Sequence, residues 1–154
     1  MRNSEFESGK GKKSHKKAVL FDLDGTIADT KDVGELHKIH HPDFLEEVKD
    51  ADPFPNMVAK VKEAKDKGRD VVILTARSAH YRKETKEWLN KHDVPYDALF
   101  MRHADDTRKD KKVKKELLKE NVLPNFDIKK AYDDKQKNVK MYKKEGINAK
   151  RVNN

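Results

Sequence analysis

Three short apolar runs most narrow what this chain can fold into: AVLF at 18–21, VVIL at 71–74 and ALFM at 98–101. Each is apolar at consecutive positions, and each is too short for a buried helix. A strand covered on both faces has this signature. Between the runs the period changes to that of a helix. Met57, Val58, Val61 and Ala64 share one face, and Gly68 supplies the stop. Tyr81, Thr85, Trp88 and Leu89 mark a second helix ending near His92, before the Val94-Pro95 turn. A third is predicted from a cap at Asp106 or Thr107 through Glu120, with Val113, Leu117 and Leu118 inward. Ile128 to Tyr132 reads as a fourth strand, Val139 and Tyr142 as part of a helix stopped by Gly146, and Ala149 to Val152 as a last strand. Strands alternating with helices predict one α/β domain with a mostly parallel sheet and right-handed crossovers.

The remainder is heavily polar. Charged residues make up 42% and hydrophobic ones 34% of 154 residues, which allows one domain with a modest core. The mean hydropathy of −1.09 would suit a disordered chain if the apolar residues were not bunched as they are. The net charge of +8 suits a polyanionic partner, and equally suits a solubilising lysine shell. Cysteine is absent, which excludes disulfides, thiolate metal sites and cysteine nucleophiles. No stretch has the length and apolarity of a membrane span, and the start lacks the apolar core of a signal peptide. A cytoplasmic protein without membrane contact is expected, in a bacterium or a phage-infected cell.

Residues 1–17, rich in Gly, Ser and Lys, are expected to lie outside the fold. The domain proper is assigned to 18–154. Within it, 29–55 reads as a small insertion with one short helix. Its histidines, His37, His40 and His41, lack a convincing fourth ligand for zinc and are read as surface residues.

In a parallel sheet the ligand crevice lies beyond the carboxyl ends of the strands. The first strand leads into Asp22-Leu23-Asp24-Gly25-Thr26, and the second into Thr75-Ala76-Arg77. The third leads to Arg102 and then DDTRKDKKVKK, and the fourth to Asp133-Asp134. Residues capable of chemistry thus gather at one edge. With these four positions aligned, the chain resembles the haloacid dehalogenase-like (HAD) phosphohydrolases. FDLDGT is similar to that superfamily's first motif, LTAR to the second, a lysine from the 110s to the third and AYDD to the fourth. The match runs from about Ala18 to Val152, and it implies a HAD-like Rossmannoid fold with a small insertion in place of a large cap.

The second half carries a closer resemblance. ADDTRKDKKVKKELL and FDIKKAYDDKQKNVKMYKKEGI are similar to the 3′-phosphatase domain of phage polynucleotide kinase-phosphatase. No GxxxxGK[ST] phosphate loop occurs, so kinase activity is not expected of these residues. Residues 29–55 do not match, and Thr75 stands where that family tends to have Ser.

The resemblance implies a Mg²⁺-dependent phosphomonoesterase that removes a 3′-phosphate from DNA or RNA ends through an aspartyl-phosphate. Asp22 is the candidate nucleophile and Asp24 the general acid and base. Paired carboxylates repel unless a cation lies between them, and Mg²⁺ favours such oxygen ligands. Asp22, the Asp24 carbonyl and an acid from Asp133-Asp134 are the expected ligands. Thr75 is expected to hydrogen-bond the phosphoryl group, with Arg77 as a second donor. Lys114 is expected to stabilise transition-state charge, aimed by Asp110 one helical turn before it. Arg102 and Arg108 are expected to grip nucleic-acid phosphates, and Gly25 and Thr26 to shape the phosphate turn. The expected molecule is a monomer, with a separate kinase or ligase completing a repair pathway. Two other readings remain: a phosphatase of nucleotides or other small esters, and a non-catalytic nucleic-acid-binding module.

Overall fold

The computed structural model describes residues 15–30 and 41–154. Its centre is β1 (Lys16–Phe21), which pairs on one side with β2 (Asp70–Ser78) and on the other with β4 (Phe126–Asp133). β3 (Ala98–Arg102) lies outside β2, and β5 (Ala149–Arg151) closes the opposite edge. The order is β3-β2-β1-β4-β5, and every pairing is parallel. The strand therefore begins at Lys16, inside the segment expected to lie outside the fold, because Lys16 and Lys17 pair with Phe126 and Asp127.

Side chains alternate across a strand, so the consecutive apolar run of β1 divides between two cores. Ala18 and Leu20 pack with Val72, Leu74, Phe100 and Ala131 under α4 (Asp110–Leu117) and α5 (Gln136–Lys144). Val19 and Phe21 pack with Val71, Ile73, Leu99 and Tyr132 under α2 (Pro55–Asp66) and α3 (Arg82–Lys91). Removing a fully buried side chain such as Leu20 or Phe21 from water contributes about 1.5–3 kcal/mol.

Other boundaries differ from the sequence expectation as well: β2 runs on through Thr75 and Arg77 to Ser78, and β4 starts at Phe126. Tyr81 closes a single 3₁₀ turn, Ala79–Tyr81, ahead of α3, with the Ser78 side chain accepting from His80 N at 3.0 Å. α4 starts at Asp110, not at a side-chain cap on Asp106 or Thr107, and ends in a π turn at Leu118–Val122. Asp106 is occupied elsewhere: its Oδ1 accepts from Arg108 N and Nε at 3.0 and 2.9 Å, which folds residues 103–109 into a tight loop.

Of the insertion, the described residues hold α1 (Pro42–Val48), where His41 Nδ1 accepts from Asp43 N at 3.1 Å as the N-cap. His37 and His40 lie outside the described residues. The insertion is tied down by Trp88 Nε1 to Ala51 O at 3.0 Å, Tyr81 OH to His41 O at 3.2 Å and Phe54 N to Ile27 O at 2.7 Å. Trp88 and Tyr81 are accordingly buried core residues. Among the described residues no helix is long and apolar enough to cross a membrane.

Candidate active site

Parity along β1 and β4 builds the site. Asp22 continues the Ala18–Leu20 series and Asp133 the Ala131 position, so both point toward α4 and α5. The chain turns at once: Thr26, Ile27 and Ala28 N–H all converge on Leu23 O at 2.9–3.2 Å. Gly25 takes φ +87° in that turn, and a Cβ there would collide with the Asp134 carboxylate. Both the left-handed backbone and the close approach require glycine.

Lys114, on the buried side of α4, donates to Asp22 Oδ1 and Asp133 Oδ2 at 2.7 Å each. Asp133 also accepts from Lys135 N at 2.9 Å, and Asn138 Nδ2 lies 3.3 Å from both of its oxygens. Thr26 Oγ1 is 3.1 Å from Asp22 Oδ2 and 3.4 Å from Asp134 Oδ1. Carboxylate oxygens of Asp22, Asp133 and Asp134 come within 4.8 Å of one another. Burial, together with Asp133 and Asp134, pushes the Asp22 carboxyl well above its ordinary range, and Lys114 only partly offsets this. Burial alone would lower Lys114, yet Asp133 and Asp22 outweigh it and hold the ammonium charged. Three acids around one amine leave net negative charge in a poorly solvated place, and a hard divalent cation with oxygen ligands fits that donor set.

Arg77 does not stand as a loose phosphate donor. Its Nη2 and Nε grip Asp24 Oδ1 and Oδ2 at 2.5 and 3.2 Å, and its Nη1 donates to Thr85 Oγ1 at 2.9 Å. The guanidinium also lies 5.1 Å from the centre of the Phe44 ring, so α1 packs on it. Asp24 accepts a further bond from Thr30 Oγ1 at 3.1 Å. The second acid is thus held by a planar fork. Thr75 is buried beside this pair, with its Oγ1 accepting from Arg77 N at 3.1 Å, which leaves the hydroxyl proton to donate.

The expected phosphate grip of Arg102 is corrected by its position. The side chain is 0% exposed, and its nitrogens donate to Ala76 O at 2.7 Å, Asp106 O at 3.2 Å, Arg108 O at 2.6 Å and Asp110 Oδ1 at 2.5 Å. It anchors the loop before α4 from inside. Asp110 accordingly binds Arg102, while Lys114 is aimed by Asp22 and Asp133. Arg108 is on the surface, paired with Asp106 at 2.6 Å and with Glu116. Thr85, read from the sequence only as part of a helix face, and Asn138, not read at all, were not expected beside the site. The available signal was a polar residue on an otherwise apolar helix face, a hydroxyl beside Trp88 and an amide beside Val139.

A parallel sheet whose central strand ends in a buried aspartate, clamped to a buried lysine and faced by an acid pair, defines an α/β phosphatase of the HAD class. Residues 16–154 match the profile of the polynucleotide kinase PNKP phosphatase domain, and the chain belongs to that family. It is 29% identical over 128 residues to a protein of Autographa californica nuclear polyhedrosis virus named as a bifunctional polynucleotide kinase/RNA ligase, covering 82% of this chain and 18% of that one. A structure of a Pnkp1/Rnl/Hen1 complex superposes with a TM-score of 0.80 at 28% identity, covering 99% of this chain and 50% of that one, and one of the Pnkp1/Rnl/Hen1 RNA repair complex with 0.79 at 27%, covering 99% and 47%. The class C acid phosphatase of Bacillus anthracis shares the fold at a TM-score of 0.60 and 20% identity, over 82% of this chain and 54% of that one. The chain thus spans half or less of the length of its polynucleotide kinase relatives.

Proposed function

We propose that this chain removes the phosphate from the 3′ end of a nucleic acid, with Asp22 as nucleophile. The carrying observation is the convergence of Asp22, Lys114, Asp133 and Asp134 from two strand ends and one helix. Asp22 attacks the phosphorus, the bond from phosphorus to the 3′ oxygen breaks, and Asp24 gives that oxygen its proton. Water then attacks the aspartyl-phosphate, Asp24 takes the water's proton, and the bond from phosphorus to Asp22 breaks to free phosphate. Arg77 keeps Asp24 over the reaction by its two-point grip. Lys114 holds the nucleophile's carboxylate and balances charge, and the Thr75 hydroxyl donates to a phosphoryl oxygen.

Mg²⁺ would be held by Asp22, the Asp24 carbonyl and Asp134, with Asp133 in support because its oxygens already accept from Lys114, Lys135 and Asn138. When bound, it would neutralise phosphate charge so that one anion can approach another.

The nucleic-acid substrate is supported by the family match over 16–154 and by the net charge of +8. RNA is favoured over DNA by the names of the viral relative and of the repair-complex structure, and a kinase or ligase activity acting alongside would complete end repair. A phosphate-release panel tests the proposal. Oligonucleotides with 3′- or 5′-phosphate, as RNA and as DNA, are compared with 3′-mononucleotides, with and without Mg²⁺. Preference for 3′-phosphorylated RNA is expected; equal turnover of mononucleotides and no gain from polymer would point to small esters instead.

A further inference from the structure

Outside the catalytic cluster, a basic groove follows the edge of the sheet formed by β5. The groove, of about 440 Å³, is lined by Lys130, Lys143, Lys150 and Arg151, with Gln136 and Asn148 between them and no acid among the lining residues. Its apolar lining is limited to Val139 and Ala149. Lys143, Lys150 and Arg151 are exposed, and none of the four cations has an acidic partner among the described residues. Lys130 instead lies 5.7 Å from the centre of the Tyr132 ring. One end of the groove adjoins the catalytic acids: Gln136 opens α5 two residues after Asp134, and Arg151 Nε donates to Asp134 O at 3.1 Å.

Unpaired amines held side by side repel one another, and a chain of phosphates relieves that repulsion while releasing its own counterions. A protein interface would need an apolar or aromatic centre, which two small aliphatic side chains do not supply. Building on the proposed action at nucleic-acid 3′ ends, we infer that this groove carries the strand leading to the terminal phosphate, with Lys130, Lys143, Lys150 and Arg151 contacting its backbone. The contacts are to phosphate, so they are independent of sequence. They would set affinity for a polymer without touching the reacting atoms.

The test is binding of a 5′-fluorescein-labelled 12-nucleotide RNA ending in a 3′-hydroxyl, followed by anisotropy across a salt series. The double variant Lys143→Gln, Lys150→Gln is expected to bind about tenfold more weakly at 0.1 M salt, with a log K against log salt slope about 1.4 less steep. The double variant Lys62→Gln, Lys119→Gln carries the same net charge on exposed positions away from the groove, and is expected to lose less than twofold. Circular dichroism and thermal melting check that both remain folded. Unchanged binding in the groove variant, equal loss in the control, or no binding by the unaltered chain overturns the inference. The same strand bearing a 3′-phosphate separates the two levels. Phosphate release with no role for Lys143 and Lys150 leaves the activity and removes the groove. Binding through these lysines without phosphate release does the reverse.

Discussion

Asp22 and Asp24 stand two residues apart but are held by different means, and substitution should separate them. Asp22→Asn keeps the shape and removes the proposed nucleophile, so turnover should fall by about 10³-fold or more in steady-state assays, with the melting temperature little changed. Arg77→Lys keeps the charge but loses the two-point grip on Asp24. A loss of about 10–100-fold in kcat is expected, with less change in KM. Gly25→Ala meets both a positive φ and the Asp134 carboxylate, so activity and stability should fall together. The acids that gather around Lys114 could be picked out in the sequence because short motifs after apolar strands fix them locally. The partners of Arg77 and Asp110 were not, since spacing along a helix cannot say which of two nearby cations an acid will meet.

At the scale of elements, the loop between β3 and α4 depends on two arginines in different surroundings. Arg102 is buried and binds three carbonyls and a carboxylate, so Arg102→Met removes these four bonds and should cost about 3–5 kcal/mol, read from urea denaturation. Arg108 works at the surface. Its side chain, next to Asp106, lowers that carboxyl to about 2. A folded-state value below the unfolded one means the unfolded chain takes up the proton first. The contribution is therefore complete above about pH 4 and is lost as the pH falls toward 2. The difference in melting temperature between the unaltered chain and Asp106→Asn should shrink over that window. Helices and strands were read correctly in kind, but β2 runs four residues further and α4 is shorter than expected. The start of α4 was misplaced because Asp106 spends its side chain on Arg108, a pairing within the loop that capping preference alone does not reveal.

On the scale of the whole molecule, the acid cluster is an electrostatic burden that the fold carries at its centre. A divalent cation that binds only the folded chain should relieve it. Saturating Mg²⁺ should raise the melting temperature, by about 2.7 kcal/mol of stability at a hundredfold excess over Kd, and chelation should abolish turnover. Asp134→Asn should reduce both effects. The insertion belongs to this scale as well: Phe44 of α1 lies against the Arg77 guanidinium that grips Asp24, and Trp88 ties residue 51 to α3, whose Thr85 accepts from Arg77. That connection between a weakly patterned segment and the catalytic acid had no local signature.

The amino-acid order alone determined the layered α/β architecture, because apolar runs without alternation have to be covered on both faces. It also determined that acids follow the first and fourth apolar runs, since strand and turn chemistry act over a few positions. Tertiary structure decided the pairings: Lys114 to Asp22 and Asp133, Arg77 to Asp24, Arg102 to the loop before α4, and the unopposed cations beside β5. These join residues up to 92 positions apart in the chain. A charge selects its partner by distance and burial, and both exist only once the sheet has formed.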